Sequence, residues 1–174
     1  MDGYMSRRRR RRRGNWTSWY SSGSGRAQER TPNPQPQVGK LWFKQAKYDL
    51  IAALKQKERC ADDEAIAHTL NWICYKCQQA IEKCIKSFMY RDDANKAGDN
   101  QKNHDLVSLS YHVTVPGLTD LCRRFGDEVS RYPDSMVYPM SSAVPGEVFT
   151  SAQAENACSI AESIVEMCDE QWNS

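Results

Sequence analysis

Three sets of residues in this chain have the types and spacing to do chemistry. Cys74 and Cys77 stand three apart, with Cys84 one heptad further on, a spacing that zinc sites and redox pairs both use. His68, His104 and His112 are the three histidines, the side chain best suited to moving protons near neutral pH. Lys76, Lys83, Lys86, Arg91 and Arg131 are the cations from which a phosphate-neutralising surface would be built. Beyond these, a run of seven adjacent arginines begins at Arg7 and ends at Arg13. Such a run attracts RNA, DNA, acidic lipid or an import receptor without specifying which, and Trp16, Trp19 and Tyr20 beside it could stack on bases.

The element that must position most of these residues is a predicted helix running to about Tyr90. Leu70, Ile73, Cys74, Cys77, Ile81, Cys84, Ile85 and Phe88 recur every three or four residues, which places them on one face. At 100° per residue Lys76, Gln79, Lys83, Lys86 and Tyr90 gather on the other side, so a basic, wettable face is expected there. The same geometry argues against metal or redox chemistry. Thiolates along one apolar face of a continuous helix do not converge tetrahedrally, and no strand precedes the helix to set up a redox pair. The cysteines are read as small buried apolar side chains.

The chain has 174 residues, enough for one domain with a real core. Residues 1–39 hold nine arginines against two acids, a net of +7, whereas the remainder has 15 basic and 20 acidic residues, a net of −5. The first 39 residues offer no periodic apolar set and alternate prolines near their end, so they are expected to be a disordered tail, with the folded domain spanning 40–174. The bland reading of that tail is a charged linker. Seven cysteines and no apolar leader predict reduced thiols and a cytoplasmic protein, with nuclear import through the arginine run left open. No run of about eighteen apolar residues occurs, so no membrane span is expected.

Around the central helix the period is helical throughout. Trp42, Phe43, Ala46, Leu50, Ala53 and Leu54 predict a helix over 40–57, and Asp62 or Asp63 could cap the next one. Residues 91–103 read as a polar surface loop, followed by a short helix from near His104 and another over 118–129, with Pro116 at its start. Pro133, Pro139 and Pro145 bar any helix from crossing 131–145. Thr150 and Gln153 have capping-box spacing, and Phe149 can staple onto Ala154, opening a last helix that runs to the end. The expected fold is all-α, an antiparallel up-and-down bundle of about five helices.

These blocks carry a resemblance. WFKQAKYDLIAA from Trp42, NWICYKC from Asn71, CQQAIEKCIKSF from Cys77, NHDLVSL from Asn103, RYPD from Arg131 and FTSAQAENACSIAE from Phe149, in that order, are similar to the HEPN domain family. Within it they most resemble the HEPN domain that closes the chaperone-like protein sacsin, over about residues 31–172. The resemblance implies a helical bundle, frequent homodimer formation, and one of three roles: a ribonuclease, a partner of a nucleotidyltransferase, or a nucleotide-binding module attached to a J-domain. The ribonucleases of the family use an Arg followed after four to six residues by a His. Here Arg59 stands nine before His68 and Arg91 thirteen before His104, so the catalytic pair is missing and no enzyme is expected. His104 is expected to cap or pack.

Two functions remain. One is a non-catalytic nucleotide- or polyanion-binding and dimerisation module of the sacsin type, tied to a chaperone system through a J-domain partner. It would hold GTP or ATP, if any ligand, on Lys76, Lys83, Lys86, Arg91 and Arg131. Because no glycine-rich phosphate loop is present, binding would rest on side-chain charge and fall with salt. The other is an RNA-binding or toxin-like ribonuclease that grips nucleic acid with its arginine run. A solvated helix face is the plain alternative to any site on the stripe.

Overall fold

The computed structural model describes residues 31–62, 64–131, 133–139 and 143–174. The arginine run, Trp16, Trp19, Tyr20 and Asp63 lie outside the described residues. Eight helices and no strand occur among the described residues, as α1 (Pro36–Asp62), α2 (Leu70–Asp92), α3 (Ala94–Asp99), α4 (Leu106–Ser110), α5 (Leu118–Glu128), α6 (Asp134–Val137), α7 (Pro145–Val148) and α8 (Ser151–Asn173). The all-α bundle is as expected, with three long helices, α1, α2 and α8, carrying it and short ones closing its far side. No helix among the described residues is long and apolar enough to cross a membrane.

Helix α2 is the centre because every other layer needs it. It packs on α1 and α8 along one side and on α3, α4, α6 and α7 on the other. Ile73, Cys74, Cys77, Ile81, Cys84, Ile85 and Phe88 are buried, as their spacing predicts. The opposite side is wet only in part, since Lys76, Gln79, Lys83 and Tyr90 are half-buried. Gln78, Glu82, Lys86 and Ser87 are buried too, because the segment from α3 to α4 covers that face. Polar groups buried in this way must be satisfied internally.

Helix α1 lies against α2 through Phe43, Ala46, Leu50 and Ala53, and Trp42 stacks on Tyr90 with centroids 5.4 Å apart. It starts at Pro36, earlier than the expected residue 40, and the segment before it is strapped to the end of α2. Gln35 N donates to Tyr90 O at 2.7 Å, Asn33 N to Asp93 Oδ1 at 3.1 Å, and Ala94 N to Asn33 O at 2.8 Å. Residues 33–39, expected to lie in the tail, are thus held against the end of α2. Backbone hydrogen bonds and a close contact hold them, and neither leaves an apolar pattern in sequence. The contact is Gly39, where an added Cβ would sit 2.5 Å from Ser87 O.

Other boundaries shift for identifiable reasons. Helix α1 continues through Asp62, which therefore lies within it, and a 3-10 turn over Glu64–Thr69 leads into α2. The expected loop after α2 contains α3, because the Asp93 carboxylate accepts from Asn95 N and starts a new turn. Asp105 rather than His104 caps α4, accepting from Val107 N at 2.9 Å. Gly117, at φ 78°, occupies the cap of α5 in a left-handed conformation suited to glycine, with Pro116 one residue outside. The proline-rich stretch holds α6 and α7, four residues each, and nothing longer crosses it. Thr150 and Gln153 form the reciprocal capping box.

Candidate functional site

The outward face of α1 carries Lys40, Lys44 and Lys47, spaced four and three residues apart and so on one side of the helix. Together with Tyr48 they line a groove of about 520 Å³ whose other wall is Asp169 and Trp172 of α8. The floor is aromatic and firmly held. Trp172 stacks on Phe43 at 6.1 Å and meets Phe88 at 5.5 Å with the rings tilted by 39°, and its Nε1 donates to Ser87 Oγ at 3.2 Å. Arg91 lies behind the floor, with its guanidinium carbon 5.5 Å from the Trp172 ring centre and 4.4 Å from that of Phe88. Lys47 Nζ sits 4.7 Å above Phe43 and 3.0 Å from Asp169 Oδ1, whereas Lys44 reaches over Tyr48 at 5.6 Å. Ammonium groups flanking a flat apolar floor can neutralise phosphate while a planar ring lies on the aromatic side chains.

A second groove, of about 390 Å³, opens where the far end of α1 meets the 3-10 turn, and Lys55, Gln56, Arg59 and Lys76 line it. Lys76 Nζ donates to Gln56 Oε1, a neutral acceptor that leaves its charge uncancelled. A third, of about 320 Å³, lies between α4 and α5 beside Arg123 and Arg131.

The five cations singled out in sequence are not brought together. Lys76 borders the second groove. Lys83 is bound to Asp49 Oδ2 at 2.7 Å and to Gln79 Oε1 at 3.0 Å. Arg91 pairs with Asp92 at 2.6 Å, and Arg131 pairs with Asp127 at 2.7 Å at the third groove. Lys86 corrects the expectation of a basic wet face, since it is 2% exposed, with Nζ 2.7 Å from Glu82 Oε1 and 3.0 Å from Gln101 O. It serves the interior. From Lys76 to Arg91 the helix rises roughly 22 Å at 1.5 Å per residue, too far for one nucleotide.

Glu82 is the hub of that interior cluster. Its carboxylate accepts from Lys86, from Gln78 Nε2 at 3.1 Å, and from His104, whose Nδ1 lies 3.0 Å from Oε2. Burial alone would raise the Glu82 pKa, but the hydrogen bonds from Lys86 and His104 outweigh it and hold the carboxyl below the usual range. His104 is thereby tied to a structural carboxylate at the edge of the core while remaining exposed, as are His68 and His112.

Six of the seven thiols fill the core. Cys74, Cys77, Cys84, Cys122, Cys158 and Cys168 are buried and unbridged, and burial pushes the Cys74 and Cys122 thiols up to about 12. Cys77 and Cys158 meet across α2 and α8, with sulfurs 3.8 Å apart, as a hydrogen-bonded thiol pair. No group of three or more side chains suited to a metal occurs among the described residues.

Attention to the central helix missed Lys40, Lys44 and Lys47. The signal was readable, since the three lysines recur four and three residues apart and so share one flank of helix one, beside the face of Phe43, Ala46 and Leu50.

A search of curated proteins found no match to the chain, and a search of solved structures found none. The scan against family models matches the HEPN domain over residues 40–171. That span takes in nearly all of the three long helices and the groove residues Lys40 to Asp169, and it ends one residue before Trp172. The chain belongs to the HEPN domain family.

Proposed function

We propose that this HEPN domain is a non-catalytic binding and dimerisation module of the sacsin type, holding a nucleotide such as GTP or ATP in the groove between α1 and α8. It would serve a chaperone system through a J-domain on a partner chain. The observation that carries the ligand is the row Lys40, Lys44 and Lys47 along an aromatic floor. Phosphates would lie on Lys40 and Lys44, the base on the Trp172 side, and the Asp169 carboxylate could accept from an exocyclic amino group. Arg91 supports the floor from behind, whereas Lys83 and Arg131 would each have to leave a carboxylate to join the site. Two facts support a non-catalytic role: no Arg stands four to six residues before any His, and His104 is engaged by Glu82. The sacsin type, the homodimer and the chaperone link rest on the likeness of the motifs.

Titration with labelled GTP and ATP at low salt, with mass measured by light scattering in parallel, tests the proposal. Lys40→Glu with Lys44→Glu should weaken binding at least tenfold with the helical dichroism unchanged, because both side chains are exposed. Dimer mass should rise with ligand if binding and dimerisation are linked. A wild-type chain that binds neither nucleotide, or a double variant that binds as tightly as wild type, would remove the groove from consideration.

A further inference from the structure

Sulfur is the reactive element that the groove leaves unused. The seven cysteines are all unbridged, and two pairs of them join the same two helices. Cys77 of α2 donates to Cys158 of α8 with the sulfurs 3.8 Å apart, and one heptad along α2 Cys84 is hydrogen-bonded with Cys168. The first pair sits in a seam of small side chains, since Ala154, Ala157 and Ala161 line the buried face of α8 around Cys158. A disulfide needs about 2.05 Å between its sulfurs, so bonding would bring these two closer by roughly 1.8 Å. Rotation of the two side chains and a slight approach of the helices supply that distance, and alanines do not block the approach.

The two sulfurs are not equivalent. Accepting from Cys77 draws the Cys158 thiol below its usual range against the cost of its burial. The Lys57 ammonium of α1 adds to this, while Glu162 and Glu155 of α8 oppose it. The same hydrogen bond pushes the Cys77 thiol up, and burial pushes those of Cys74, Cys84 and Cys122 up. At the second pair the nearby cation is Lys47, which is already held by Asp169 at 3.0 Å. Thiolate, the nucleophilic form, therefore gathers on Cys158, and a second thiol already touches it.

We infer that Cys77 and Cys158 are an oxidisable site at which hydrogen peroxide installs a reversible cystine between α2 and α8. The Cys158 thiolate attacks one peroxide oxygen, the O–O bond breaks, and the departing hydroxide takes up a proton and leaves as water. Cys158 is then a sulfenic acid. The Cys77 sulfur attacks the Cys158 sulfur, the S–O bond breaks, and the Cys77 proton goes to the departing hydroxide as a second water. Two thiols and one peroxide thus give one cystine and two waters, with two electrons passing from sulfur to oxygen. A dithiol reductant reverses the step by exchange. Peroxide is little larger than water, and openings well short of unfolding admit it where a bulky alkylating reagent stays outside.

The test treats the native full chain with hydrogen peroxide, removes the excess with catalase, unfolds the product in an alkylating reagent, and maps its peptides by mass. Cys77 and Cys158 should appear in one cross-linked peptide pair lighter by two hydrogens, which dithiothreitol separates, with Cys74, Cys84, Cys122 and Cys168 alkylated. The bridge joins residues 81 apart, so the unfolding equilibrium constant read from urea curves should fall by about a hundredfold or more. Cys77→Ser should leave Cys158 as a sulfenic acid that dimedone traps on unfolding, and Cys158→Ser should leave Cys77 reduced. A cystine between Cys84 and Cys168, or between chains, overturns the assignment. So do Cys77 and Cys158 that stay reduced at a peroxide dose that oxidises half-buried Cys60. Cross-linking that accelerates with urea in step with unfolding would mark a product of the unfolded chain and overturn it as well.

Discussion

Replacing Glu82 with Gln should destabilise the domain by about 3 kcal/mol, the lower end of the cost of breaking a buried ion pair from one side. Lys86 is 2% exposed and Glu82 4%, so neither charge can be handed to water when its partner goes. The amide keeps the size of the carboxylate and can still accept from Lys86, which sets the lower end of the range. It removes the negative charge that offsets a buried ammonium, and Lys86 is left with the Gln101 carbonyl as its other acceptor. At about 2–4 °C per kcal/mol for a domain of this size, the melting midpoint should fall by roughly 6–12 °C. The companion variant is Glu82→Leu with Lys86→Met, which takes out both charges. It should lie within about 1 kcal/mol of wild type, because a buried pair offsets little more than its own desolvation. Urea unfolding followed by far-ultraviolet dichroism measures both. A Glu82→Gln variant within 1 kcal/mol of wild type would mean that Lys86 reaches water, and the interior assignment of that cation would be wrong.

The same carboxylate sets an acid limit. Its folded pKa lies below the unfolded value of about 4.3, so its contribution is complete above that pH and disappears as pH falls through the lower folded value. Wild-type stability should therefore drop below about pH 4 more steeply than that of Glu82→Gln, as pH-dependent urea midpoints would show. Gly39→Ala should cost about 1–3 kcal/mol despite its better helix propensity, since the new methyl would meet the Ser87 carbonyl and the Trp172 ring; an unchanged urea midpoint would place the α1–α2 approach elsewhere. At pH 8 a thiol reagent should modify half-buried Cys60 quickly and the other six cysteines only at the rate of unfolding. Several fast thiols in the native protein would contradict the packed core.

The helical period was enough to establish the all-α class, the long central helix, the buried cysteines and the capping box at Thr150, because each depends on residues close in sequence. Side chains three and four apart share a face whatever surrounds them, so Ile73, Cys77, Ile81 and Phe88 could be assigned to the core from spacing alone. What surrounds a helix on its second side is a tertiary matter. Lys86 looked like a wet cation because nothing local says that Gln101 and His104 return to cover it, and a lysine beside a glutamate one turn away reads equally well as a surface pair. Residues 33–39 were missed for a related reason. Their attachment uses backbone groups of Tyr90, Asp93 and Ala94, which have no side-chain signature. The lysines of α1 were visible from the start, but their worth as a site depended on Trp172, more than a hundred residues away, arriving beneath them to make a floor. Periodicity reports which residues share a face, and only packing decides what that face meets.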